Sequence, residues 1–238
     1  MKEVKEHTDI TTYGQKRRLF LKTAGVGMIA TALVAAGCKK KNDDPSPGGD
    51  GKIDLGSGDT GILNYAYALE QLEAAFYTTV VANSSFTTIF STSEQILLKD
   101  IKAHEIVHRE FFKTALGTSA IQALQVDFST INFTSRTSVL GAAKTFEDLG
   151  VAAYNGAGKL FSTAGIAYLG LAGKIVSVEA RHASAIRDLI SPKSKNFAGD
   201  DVVSVSQGLD GAKTPIVVLE SANVYLITKV SGNNLPTA

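Results

Sequence analysis

The sequence predicts an all-α fold: four long helices in two antiparallel hairpins, joined by one long crossover and followed by a short C-terminal extension. Three observations carry this. Apolar residues recur at spacings of three and four along four separate stretches, which is helical periodicity. The links within each helix pair are short, whereas Thr118 to Thr134 between the pairs can cross the length of a bundle. Each pair also carries the same polar pattern, so the chain repeats itself.

The first 37 residues read as an export signal, outside the fold. Lys16-Arg17-Arg18-Leu19-Phe20-Leu21-Lys22 precedes an uncharged stretch from Thr23 to Gly37, the order of a twin-arginine signal. That stretch is shorter than the roughly 20 residues a membrane-spanning helix needs. It ends at Ala35-Ala36-Gly37-Cys38, which resembles a bacterial lipoprotein box with Cys38 as the lipidated residue. Export to the cell envelope or periplasm, with a lipid anchor to a membrane, is the expectation. Residues 38–60 are rich in Pro, Gly and Asp and predict a flexible tether.

Residues 61–191 form the predicted bundle. The first helix runs from Ile62 to Ala82, with Leu63, Tyr67, Ala74, Tyr77 and Val81 on one face. The second starts near Ser93-Glu94 and runs to Leu116, with Gly117 as its stop. The third spans Ser135 to Gly158, and the fourth Ile166 to Ile190, before Ser191-Pro192. Residues 192–238 predict an extension packed on the bundle, with extended or loop structure around Val202 to Val205 and a short helix over Pro215 to Ile227.

Charge and cysteine content narrow the chemistry. With 24 basic and 23 acidic residues, the chain offers no electrostatic footprint for nucleic acid. Its single cysteine excludes an internal disulfide and any cysteine-based metal cluster. Removing residues 1–37 leaves 18 basic and 20 acidic residues, a formal net charge of −2.

The repeat is polar. Helix one has Glu70, Leu72, Ala75 and Tyr77; helix three has Glu147, Leu149, Ala152 and Tyr154, at the same offsets. Helix two carries Glu105-Ile106-Val107-His108 and helix four Glu179-Ala180-Arg181-His182, both Glu-x-x-His. Glu105 and His108 lie in the row Leu98, Ile101, Phe112, and Glu179 and His182 in the row Ile175, Ile186, Leu189. Four carboxylates and two imidazoles thus fall on apolar faces. Carboxylates buried without partners would protonate or destabilise the fold by several kcal/mol. Two divalent cations would neutralise four of them, with the two imidazoles as neutral ligands. Glu73 is the rival to Glu70, but it aligns with Gly150 in the repeat. His104 points about 100° away from Glu105 on its own helix and reads as a surface group or a support to the site. Arg109 and Arg181 read as solvated ends, and Tyr65, Tyr67 and Tyr168 as packing residues.

Glu70, Glu105, His108, Glu147, Glu179 and His182 resemble the six-ligand pattern of ferritin-like di-iron and di-manganese carboxylate proteins, over roughly Ile62 to Ile190. In detail the chain is similar to exported bacterial ferritin-like domain proteins, a group related to plant desiccation-associated proteins. The resemblance implies a ferritin-like four-helix bundle holding two iron or manganese ions. Glu70 and Glu147 would be terminal ligands, Glu105 and Glu179 bridges, and His108 and His182 one imidazole per metal. Tyr77 and Tyr154 would hydrogen-bond the carboxylates from outside. It further implies redox chemistry on a small oxidant such as oxygen or hydrogen peroxide, in the manner of an oxidase, peroxidase or catalase. The alternative is a non-enzymatic, metal-binding or stress-protective structural lipoprotein.

Overall fold

The structure is a computed structural model that describes residues 51–237. The twin-arginine pair, Cys38 and most of the expected tether lie outside the described residues. In chain order the elements are β1 (Ile53–Asp54), α1 (Gly58–Ala82), α2 (Phe86–Ile89), α3 (Thr92–Leu116), α4 (Arg136–Ala157), α5 (Ile166–Ile190), α6 (Pro215–Asn223) and β2 (Val230–Ser231). The fold is all-α, with α1 packed on α3 and α4 on α5 as the two hairpins.

Local chemistry sets the helix ends. Ser91 and Glu94 form a reciprocal capping box at the start of α3: the Glu94 amide donates to Ser91 Oγ, and the Ser91 amide donates to Glu94 Oε2 at 2.7 Å. Gly117, at φ 54°, ends α3 in a conformation that L side chains rarely adopt. Ser135 caps α4 through the Ser138 amide. The one-turn helix α2 occupies the link inside the first hairpin, where the sequence shows only a short connection.

α1 is buried on nearly every side because α3, α4, the crossover and the extension all cover it. Two of its polar side chains strap the crossover down. Asn64 donates to the carbonyls of Leu55 and Ser119 and accepts from the Ile121 amide at 3.0 Å. Gln71 accepts from the Leu124 amide at 2.8 Å. The crossover therefore satisfies part of its backbone through α1 while passing over it. Phe76, Phe112 and Phe146 fill the core with Leu98, Ile101, Leu140 and Ile186.

Two sequence expectations change at the ends of the bundle. The tether does not extend to residue 60: Ile53–Asp54 pairs in parallel with Val230–Ser231, Leu55 is fully buried, and α1 starts at Gly58. A parallel pairing between residues 177 apart leaves no local signal in sequence. The C-terminal helix stops at Asn223, short of Ile227, because the Asn223 side chain pairs with both backbone groups of Val230. Residues 225–227 turn instead to pair with the crossover at Gln125 and Asp127.

The extension packs on α4 and α5. Lys213 donates its amide to the Ala152 carbonyl at 2.9 Å. A Cβ on Gly156 would lie 1.8 Å from the Lys213 carbonyl oxygen, so only glycine fits this crossing. Arg187, buried on α5, forks to Asp148 of α4 and Asp201 of the extension, with Nη2 2.7 and 2.8 Å from their oxygens.

Candidate metal centre

Each of the four long helices sends one carboxylate to the same level of the bundle: Glu70 from α1, Glu105 from α3, Glu147 from α4 and Glu179 from α5. All four are fully buried. The i, i+3 spacing of each Glu-x-x-His turns His108 and His182 to the same side as their glutamates, and both rings are buried. The structure thus brings together all six residues that the sequence singles out.

The geometry is nearly two-fold. His108 Nδ1 lies 2.7 Å from Glu179 Oε1 and 3.5 Å from both Glu70 Oε2 and Glu105 Oε2. His182 Nδ1 lies 2.8 Å from Glu105 Oε1, 3.5 Å from Glu147 Oε2 and 3.6 Å from Glu179 Oε2. Two four-residue groups follow, each with ligand-type atoms within 4.8 Å of one another. The first is Glu70, Glu105, His108 and Glu179; the second is Glu105, Glu147, Glu179 and His182. Glu105 and Glu179 belong to both.

The outer oxygens are taken by tyrosines, and the pairing crosses between the halves. Tyr77 on α1 donates to Glu147 Oε1 on α4 at 2.5 Å, and Tyr154 on α4 donates to Glu70 Oε1 on α1. The inner atoms have no such partners. Both oxygens of Glu105 and Glu179, Oε2 of Glu70 and Glu147, and Nδ1 of both histidines are buried without a contact of hydrogen-bond geometry, despite their short separations. Buried polar atoms are normally paired. Lone pairs converging at this distance, with no hydrogen bond among them, are a donor set suited to cations, and its carboxylate and imidazole atoms suit iron or manganese.

The electrostatics of the metal-free cluster are correspondingly tense. Burial pushes the Glu70 carboxyl well above its ordinary range and the Glu147 carboxyl up to about 8, with the neighbouring carboxylates adding to the effect. Burial opposes ionisation of Glu105 too, but the close imidazoles of His108 and His182 outweigh it and hold that carboxyl down at about 2. Burial likewise disfavours charge on the imidazoles, yet the surrounding glutamates push both up to about 12. Protons on the histidines thus stand in for part of the positive charge that the cluster needs.

Two further residues border the cluster. Glu73 falls in neither four-residue group, but it is buried, and burial pushes its carboxyl well above the ordinary range, reinforced by Glu179 and Glu105. Its Oε1 lies 3.0 Å from where a Gly150 Cβ would stand, so the glycine facing it in the repeat leaves it room. His104 sits on an exposed face of α3, yet its Nδ1 is 2.9 Å from His182 Nε2 with the rings nearly parallel. The 100° offset from Glu105 is real on its own helix; the contact comes from the neighbouring one. The only sequence signal was adjacency to Glu105. Arg109 pairs with Glu110, and Arg181 donates to Ser177, both away from the cluster.

A small apolar pocket reaches Tyr154, lined also by Leu63, Tyr65, Leu69 and Phe112 among others. Tyr65 is buried with its hydroxyl unpartnered, and Tyr154 is the tyrosine that holds Glu70.

A family model described as a ferritin-like domain matches residues 58–192, from the start of α1 to just past the end of α5. No curated protein matches the chain.

Proposed function

The chain belongs to the ferritin-like domain family, and from that premise we propose that it is a di-iron or di-manganese carboxylate protein that carries out redox chemistry on oxygen or peroxide. The observation that supports this most directly is the set of buried, converging and unpartnered carboxylate and imidazole atoms. In this reading Glu70 and Glu147 would be terminal ligands, Glu105 and Glu179, which belong to both four-residue groups, would serve both metals, and His108 and His182 would each serve one. A pair of such ions, if bound by these residues, would supply the redox chemistry needed to reduce a small oxidant.

The protein's own residues do the rest. Tyr77 and Tyr154 fix the terminal carboxylates in orientation and keep their outer oxygens from turning inward. The layered core excludes bulk water from the cluster. From the N-terminal sequence we further propose that the protein works outside the cytoplasm, held to a membrane through lipid on Cys38.

Metal analysis after anaerobic loading with Fe(II) or Mn(II), followed by a peroxide-consumption assay, tests the reading. Two ions per chain and peroxide turnover are expected; fewer than one ion per chain would refute the di-metal centre, and full loading without turnover on peroxide or oxygen would refute the redox role. Cys38→Ser is expected to release the protein from membranes, and unchanged retention would refute the lipid anchor.

A further inference from the structure

We infer that His104 is a positioning residue for His182, and that it makes the two metal positions unequal. The inference rests on the di-metal reading above. For His182 to bind a cation through Nδ1, which faces the cluster, its ring must be neutral and carry its proton on Nε2. That Nε2–H then donates to His104 Nδ1, 2.9 Å away, and His104 carries its own proton on Nε2. One hydrogen bond therefore selects the metal-binding tautomer of His182 and fixes the plane of its ring. The nearly parallel rings fit such an in-plane contact.

The other half has no counterpart. His104 directly precedes Glu105; the residue directly preceding Glu179 is Val178, which has no polar side-chain atom. Among the described residues, His108 Nε2 has no hydrogen-bond partner corresponding to His104. The inner atoms of the cluster are nearly two-fold symmetric, and the outer support of the imidazoles is not. The group of Glu105, Glu147, Glu179 and His182 consequently holds its ion more tightly than the group of Glu70, Glu105, His108 and Glu179. His104 is exposed, so its replacement leaves the core intact.

The test titrates metal-free wild-type protein, His104→Ala and His104→Asn with Mn(II), reading bound metal by equilibrium dialysis and elemental analysis. Wild type should bind two ions with different affinities. His104→Ala should weaken the tighter ion by about 10- to 100-fold and leave the other unchanged, the usual cost of losing the outer hydrogen bond of a ligating histidine. His104→Asn, whose side-chain oxygen can take the place of Nδ1, should restore the tighter affinity. In a His182→Ala background, His104→Ala should have no further effect on the remaining ion. Unchanged binding in His104→Ala, equal weakening of both ions, or identical behaviour of the Ala and Asn variants would overturn the assignment. Wild type that binds fewer than two ions would overturn the di-metal reading itself, and this inference with it; the wild-type titration separates that failure from the others.

Discussion

Tyr77→Phe should weaken one metal ion, and the affected ion should be the one held by the opposite half of the chain. The substitution removes a hydroxyl that donates to Glu147 Oε1 at 2.5 Å and leaves the ring in place. Tyr77 is fully buried, so water cannot replace the donor. A hydrogen bond to a charged group contributes about 1.5–3 kcal/mol. If that stabilisation acts on the ligating carboxylate, the ion that Glu147 serves should bind about 10- to 150-fold more weakly. Glu147 belongs to the group containing His182, and Glu70 to the group containing His108. In a His108→Ala background, where the first position is disabled, Tyr77→Phe should therefore weaken the remaining ion. Tyr154→Phe, which acts on Glu70, should leave that ion alone. Competition with a calibrated chelator measures both. An unaltered affinity in Tyr77→Phe, or equal effects of the two tyrosine variants in this background, would refute the crossed arrangement as a determinant of metal binding.

Glu105→Ala or Glu179→Ala should lower occupancy at both positions, because each glutamate belongs to both four-residue groups, whereas His108→Ala should lower one; metal counts per chain that fall equally in all three would contradict this. The metal-free protein should lose stability as pH rises from 5 to 8. Glu70 and Glu147 are raised above the ordinary carboxyl range, and His108 and His182 above the ordinary imidazole range, so the folded state binds more protons than the unfolded chain in that window. Below about pH 4.5 the trend should reverse as Glu105, held down at about 2, becomes protonated. Urea unfolding at several pH values with a chelator present measures this, and stability that rises from pH 5 to 8 would be the contrary result. Gly156→Ala should destabilise the protein by about 1–3 kcal/mol, since the clash is between backbone and a new Cβ and cannot be relieved by a side-chain rotation; a urea midpoint equal to wild type would show that the extension does not need this close crossing.

The four long helices and the six converging residues were legible because each was encoded by local periodicity or by a repeat. Helix α5 runs from Ile166 to Ile190, as its apolar spacing and the following Ser-Pro predict. Features set by distant chain were not legible. Ile53 gives no local sign of its partner Val230, nor Gly156 of the Lys213 backbone that crosses it. Glu73 shows both sides of this. The repeat aligned it with Gly150 and so argued against a place in the ligand set, but its burial follows from what Gly150 lacks, on a helix 77 residues further along. The spacing on its own helix turns His104 away from Glu105, but the imidazole it meets belongs to α5. Spacing within a helix gives direction; which group stands in that direction depends on the neighbouring helix.

The crossed tyrosine–glutamate pairs have the form of an isologous dimer contact, in which residue i of one copy meets j of the other and j of the first meets i of the second. Here both copies lie on one chain. In a homodimer a substitution in one copy appears in its mate, so its two positions stay identical. Covalent linkage removes that constraint. It allows Glu73 to face Gly150, and His104 to stand where the mirrored position holds Val178. A single polypeptide can thus keep the symmetric inner cluster while giving each position its own surroundings, a division of labour that two identical hairpins could not encode.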